Sequence, residues 1–190
     1  LLASLGITQP RVSRLPRVAH LVTGAELVDP STSPQTGEIR DSNSIMIRSL
    51  LLSYPTNPVW HSRVGDDRKG FAQSLAEAIR QKADLVLLSG GSSVGDHDHT
   101  GSVLEELGFR ILVRQVAVRP GKPLIFAQKG GTLALGLPGN PLSHFVCFHL
   151  FVRRALDHWV NQPKRSLLHA ELLPGAELKT DPRETWWPCR

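Results

Sequence analysis

Two periodicities alternate along this chain, and their order predicts the fold class. Val18–Thr23 is a short apolar run that reads as a buried strand, followed by Gly24 and a Pro/Ser/Thr/Gly-rich loop from Asp29 to Gly37. Asp41 or Ser42 can then cap a helix that carries Ile45, Ile47 and Leu50–Leu52. Val59–Val64 reads as a second, weaker strand. Phe71, Leu75 and Ile79 fall four apart behind Asp66 and Asp67, the stripe of a helix lying on a sheet. Ala83–Ser89 is the clearest strand, because the unbroken Leu85–Leu88 run requires cover on both faces and so a central place in a parallel sheet.

The second half continues the alternation. A helix is expected over Thr100–Leu107 and a strand over Arg110–Val118. Short strands over Leu124–Ala127 and Thr132–Leu135 flank the Gly130-Gly131 turn as a β-rich edge. A long helix bearing Phe145, Phe148, Val152, Leu156 and Trp159 closes the domain. The expected fold is a doubly wound α/β domain with a mostly parallel sheet and helices on both faces. Residues 1–16 read as a linker, 17–162 as the α/β domain, and 163–190 as the start of a small β domain, too short for a core of its own.

Composition narrows the function classes. Apolar residues make up 41% of the 190 and charged residues 21%, with no tract extreme enough for disorder or a coiled coil. No apolar stretch approaches the roughly 20 residues needed to cross a bilayer, so no membrane partner is expected. Cys147 and Cys189 have neither the number nor the spacing of a disulfide framework or zinc site, which fits a reducing cytoplasm. The net charge of +5 favours anionic partners. The basic residues are scattered, however, and the aromatics sit on apolar faces, which argues against nucleic acid; Arg11, Arg14 and Arg17 read as a solvated connector.

The candidate chemistry gathers where an open α/β sheet binds ligands, beyond the carboxyl ends of its strands. Ser89, Gly90, Gly91, Ser92, Ser93, Val94, Gly95 and Asp96 follow the central strand directly, and their backbone N–H groups and three hydroxyls could cradle an anion. Neither G-x-G-x-x-G nor the Walker ending is present, which disfavours nicotinamide dinucleotides and P-loop nucleotides. Pro138, Gly139, Asn140 and Pro141 form a rigid turn before a helix with Ser143 in its first turn. Arg119 and Lys122 flank Pro120 and Gly121, two cations that could be aimed at an oxyanion. Glu26, Asp41, Asp67, Asp96 and Asp98 fall at one rim in the expected topology, a layout suited to Mg²⁺ beside phosphate, although capping alone explains Asp41 and Asp67. The Asp96–His99 run reads as solvated, and His144, His149 and His158 as surface or packing positions.

Taken in order, Thr23-Gly24-Ala25-Glu26-Leu27, Gly37–Asn43, Asp66-Asp67, Ser89–Asp98, Arg119–Pro123 and Gly136–Ser143 resemble the MoeA family, the molybdopterin molybdenumtransferases, whose relatives include the gephyrin E domain. The resemblance implies an enzyme that takes adenylylated molybdopterin and molybdate, cleaves the adenylate with Mg²⁺, and leaves molybdenum on the dithiolene. It implies that Thr23, Gly24, Asn43, the Ser89–Gly95 loop and the Pro138–Ser143 turn hold pterin and phosphate. Glu26, Asp41, Asp67 and Asp98 would then supply acidic metal or catalytic positions, and Arg119 and Lys122 would meet oxyanions. Ala25 stands where the family usually has Asp, and Arg119 where it commonly has Lys. The resemblance further implies a longer protein, about twice this length, that forms a homodimer and has a molybdopterin adenylyltransferase as a possible partner. The competing readings are that adenylyltransferase itself and a non-catalytic molybdopterin-binding scaffold.

Overall fold

The computed structural model describes residues 1–65, 67–90, 97–162, 171 and 181–187, with the side chains of 97–99 outside that description. Its centre is a six-stranded sheet. In chain order the strands and helices of this domain are β1 (Arg17–Thr23), β2 (Leu27–Val28), β3 (Ile39–Arg40), α1 (Ser42–Leu51), β4 (Asn57–Val64), α2 (Arg68–Arg80), β5 (Leu85–Ser89) and α3 (His97–Glu106). There follow β6 (Arg110–Gln115), β7 (Val118–Arg119), β8 (Pro123–Lys129), β9 (Thr132–Leu137), α4 (Pro141–Cys147), α5 (Arg153–Trp159) and β10 (Glu184–Thr185). The sheet order is β4-β1-β5-β9-β8-β6. β4, β1, β5 and β9 are parallel, and β8 runs antiparallel between β9 and β6. The doubly wound, mostly parallel expectation is borne out.

β5 lies between β1 and β9, buried along its whole length, as its continuous apolar run requires. Alternate side chains of the central strands serve two cores. Ala19, Leu21, Val86, Leu88 and Ala134 meet Phe71, Leu75 and Ala78 of α2 and Val103 and Leu104 of α3. Val18, Leu85, Leu87, Leu135 and Leu137 meet Ile47 and Leu51 of α1 and Phe148, Val152 and Leu156 on the closing helix. β4 is the weaker strand expected, an edge with no fully buried residue.

Four local expectations need correction. The run Arg110–Val118 is not one strand: β6 ends at Gln115, and Val118–Arg119 leaves the main sheet to pair with β10. The Gly130-Gly131 hairpin is not an edge, because β9 turns inward to lie beside β5 and leaves β6 outermost. The closing helix is not continuous α-helix, since Phe148–Val152 forms a π turn between α4 and α5. That extra residue per turn shifts the stripe: Phe148, Val152 and Leu156 are buried while Phe145 is 39% exposed. The fourth concerns the arginine cluster, which is not all solvated connector. Arg14 and the Arg17 backbone N–H both bind the Asp84 carboxylate at the start of β5, and the Arg17 guanidinium donates to the Gln81 carbonyl. These bonds hold the Asp84 carboxyl below its usual range, Arg14 contributing most. Residues 163–170, 172–180 and 188–190, where the small β domain and Cys189 were expected, lie outside the described residues.

Removing a fully buried side chain should separate cleanly from removing an exposed one. Leu75→Ala, at a 0% exposed position, is expected to lower unfolding free energy by about 2–5 kcal/mol. Leu52→Ala, at an 86% exposed position, should change it by less than about 0.5 kcal/mol, both read from urea unfolding.

Candidate functional site at the carboxyl rim of the sheet

Parallel pairing sets the ends of β1, β4, β5 and β9 on one side of the domain, and the helices that follow them start there. Each of three helices opens on a side chain that satisfies its free amides. Asp41 accepts from the Ser44 N–H (2.9 Å) and hydroxyl ahead of α1. Asp67 accepts from Lys69 and Gly70 N–H groups ahead of α2. Asn140 accepts from Leu142 and Ser143 N–H groups ahead of α4, whose first residue is Pro141. The rim therefore combines amide dipoles with polar side chains of short reach.

Three close approaches draw separate segments of this rim together. Gly90 adopts φ +98°, and a Cβ there would lie 2.0 Å from the Thr23 carbonyl oxygen, so only glycine lets the β1 and β5 turns touch. The Asn43 amide N–H donates to the Gly139 carbonyl at 2.8 Å, tying the start of α1 to the turn after β9. The Asn43 Oδ1 atom is buried with no partner among the described residues. Gly121, at φ +124°, packs against Cys147 Sγ and the Ser143 carbonyl, which seats the Arg119–Lys122 turn on α4. Thr23, Gly24, Asn43, Gly90, Pro120, Gly121, Pro138, Gly139, Asn140, Pro141 and Ser143 thus belong to one ledge. Gly91, Ser92, Ser93, Val94, Gly95 and Asp96, together with Asp66 and the Asp98 side chain, lie outside the described residues.

Not every expected role survives the geometry. Ser89 was counted among the hydroxyls offered to an anion, yet it is 1% exposed and already engaged by two imidazoles. Asp41, 4% exposed, is wholly occupied as a cap, and Asp67 likewise caps α2. Among the described residues no group of three or more His, Cys, Asp or Glu is placed to hold a metal ion. Glu26 is exposed beside the Gly24 turn and caps no helix among the described residues. Arg119 is not a free cation: its guanidinium donates to Asp181 at 2.7 Å, and Arg183 grips the same carboxylate, which lies far below its usual range. Lys122 stays exposed.

Sequence reasoning missed a buried polar chain under this ledge. His20 Nε2 lies 2.6 Å from Ser89 Oγ, which lies 3.3 Å from His144 Nε2, and His144 Nδ1 lies 2.9 Å from the Pro138 carbonyl oxygen. His144, taken as a surface or packing position, is 0% exposed. Burial lowers the His144 pKa to about 4 and holds His20 well below the ordinary value. One signal was legible: His20 sits between Val18 and Val22 in a strand buried on both faces, and a buried imidazole needs a polar partner. Cys147 is packed, as expected, and burial pushes its thiol up to about 12. A groove of about 770 Å³ lies elsewhere, lined by Phe145, His149, Arg153 and Trp186 among others, and includes none of the expected site residues. No helix among the described residues is long and apolar enough to cross a membrane.

Comparison with known proteins places this geometry in context. The family described as a probable molybdopterin binding domain matches residues 19–158. The molybdenum cofactor synthesis protein cinnamon of Drosophila melanogaster is 41% identical over 156 residues, which are 82% of this chain and 26% of that protein. A molybdopterin molybdenumtransferase of Bacillus subtilis is 32% identical over 183 residues, 96% of this chain and 42% of that protein. A crystal structure of the molybdopterin biosynthesis MoeA protein of Pyrococcus horikosii superposes with a TM-score of 0.72 at 31% identity, covering 85% of this chain and 39% of that one. The chain thus spans well under half the length of these relatives.

The buried imidazoles make stability depend on pH in a fixed direction. A histidine at about 4 in the folded state and 6.5 when unfolded takes up its proton first in the unfolded chain. Its contribution is complete above pH 6.5 and is lost as pH falls toward 4, a difference of about 3 kcal/mol for His144. Urea unfolding at pH 7.0 and 4.5 should show this loss, and His144→Ala should reduce the difference between the two pH values.

Proposed function

Because the chain belongs to the family of the probable molybdopterin binding domain, we propose that its ledge holds the pterin and phosphate of molybdopterin. Within a longer protein the domain would act as a molybdopterin molybdenumtransferase. It would take adenylylated molybdopterin and molybdate, release AMP and leave molybdenum on the dithiolene. The cytoplasm and a homodimeric assembly are part of the same proposal, as is delivery of the adenylate by an adenylyltransferase partner. A role in molybdenum cofactor biosynthesis is supported by the names of the relatives.

The observation that carries the reading is the convergence of four turns on one rim: Gly90 on Thr23, Asn43 on Gly139, and Gly121 on Ser143 and Cys147. Such a rim presents backbone N–H groups and a cation to a phosphate without burying an unpaired charge. Lys122 is the cation on the ledge that lacks an ion-pair partner among the described residues, which makes it the better candidate than Arg119 for the phosphate. The unpartnered Asn43 Oδ1 is an acceptor, suited to an N–H of the pterin ring. The Gly91–Asp96 loop would complete the cradle. Among the described carboxylates expected at the rim, Glu26 is the one that caps no helix, and we assign it the catalytic acid–base part there.

The described carboxylates do not fit a magnesium site. Asp41 and Asp67 are committed to helix amides, and no described cluster of ligands surrounds a common point. At this rim Asp41 and Asp67 act as helix caps.

Isothermal titration of the chain with molybdopterin should show 1:1 binding, weakened at least tenfold by Lys122→Ala and by Asn43→Ala, with Arg119→Ala costing less. A molybdate-dependent AMP release assay on adenylylated molybdopterin tests the reaction, and Glu26→Gln should slow it at least a hundredfold while leaving binding nearly intact. Absence of molybdopterin binding in the folded chain would remove the proposal.

A further inference from the structure

The polar chain beneath the ledge runs through three buried side chains that phosphate and pterin binding do not use. Hydrogen positions follow from elementary valence. The Pro138 carbonyl can only accept, so His144 Nδ1 carries the proton and, in a neutral ring, Nε2 is bare. The single Ser89 hydroxyl hydrogen then points to His144 Nε2, and the 2.6 Å contact to His20 is made by an Nε2–H donating to Ser89 Oγ. His20 Nδ1 is left as a bare acceptor, with no partner among the described residues. Every contact in the chain is used once, in one direction only.

Two members of this polar chain, Ser89 and Pro138, stand at the edge of the ledge. Ser89 immediately precedes Gly90, and Pro138 immediately precedes Gly139. β5 and β9 are already paired as far as Ser89 and Leu137, but pairing stops there. Beyond that point the His144 imidazole, held in the middle of the short helix α4, bridges the Ser89 hydroxyl and the Pro138 carbonyl. Apolar side chains could fill the same volume but could not fix the direction of either group. We propose that His144 and His20 are positioning residues, which lock Gly90 at the end of β5 to Gly139 at the end of β9 and so set the gap between them on the ledge. The consequence for ligand affinity rests on the molybdopterin reading; the locking does not. Burial keeps both rings uncharged at neutral pH, as the assigned hydrogen directions require.

Heteronuclear NMR of the ¹⁵N-labelled chain at pH 7 tests the arrangement without any ligand. His144 should show the Nδ1–H tautomer and His20 the Nε2–H tautomer; the reverse pair, or a charged ring, overturns the proposal. Backbone order parameters at Gly90 and Gly139 should be near the rigid value of about 0.85 in the unaltered chain and fall below about 0.6 in His144→Ala, with Leu87 unchanged. His144→Asn keeps an N–H for Pro138 and should restore Gly139 but not Gly90, a split that general loosening of the fold would not produce. Unchanged Gly90 and Gly139 in a folded His144→Ala chain would also overturn it. If these variants fail to fold, the tautomers of the unaltered chain still decide. Molybdopterin affinity should drop at least tenfold in His144→Ala; if the unaltered chain does not bind molybdopterin, the functional reading fails while tautomers and order parameters continue to judge the positioning.

Discussion

Everything at the rim depends on the parallel pairing of β5 with β1 on one side and β9 on the other. Parallel strands must be joined by crossovers, so each strand's carboxyl end is followed by a turn and the amino end of a helix on the same side. The apolar run from Leu85 to Leu88 makes this arrangement stable, because a strand with no polar face has to be covered above and below. A strand in that position also carries its turn into the middle of the rim, against the turn of β1. Gly90 is the point at which this closeness becomes a steric requirement, since any side chain would collide with the Thr23 carbonyl.

The two ends of β5 solve the problem of buried polarity in opposite ways. Before the strand, Asp84 is charged and collects Arg14 and the Arg17 backbone N–H, an arrangement close to solvent in which Arg14 is 63% exposed and the ion pair is screened. After it, Ser89 sits in the interior between two imidazoles kept neutral by desolvation, where a charge would be far more costly. The amino end thus holds the sheet together while the carboxyl end gains directionality, with each hydrogen given one place.

The acidic residues illustrate how one residue type serves different ends. Asp41 and Asp67 look like members of a cation site when the rim is read from the chain, and capping was the competing account. In the structure capping prevails: Asp67 accepts from two free helix amides, and Asp41 from the Ser44 amide and hydroxyl, which leaves each with less to offer a metal. Arg119 changes role for a similar reason. Its strand pairs with β10, and that pairing brings Asp181 within 2.7 Å of the guanidinium, leaving Lys122 as the cation turned to solvent.

By itself the sequence determined most of the strands and helices, which strand is central, and that Thr23, Asn43, Gly90 and Gly139 stand where the strands' carboxyl ends meet the following turns and helices. These follow from periodicity and from turn chemistry, both local properties: Leu85–Leu88, the Phe71–Leu75 stripe, Pro141 behind Asn140. Only the tertiary structure decided what those residues touch. The inward turn of β9, the π turn at Phe148–Val152 and the split at Gln115 depend on neighbours far away in the chain, which local patterning does not encode. The partnership of His20, Ser89 and His144 joins residues 69 and 55 positions apart. A histidine alone in a strand or helix tells only that a partner is needed; the identity of that partner is fixed when strands β1 and β5 and helix α4 are packed together, because hydrogen bonds act over about 3 Å in space without regard to distance along the chain.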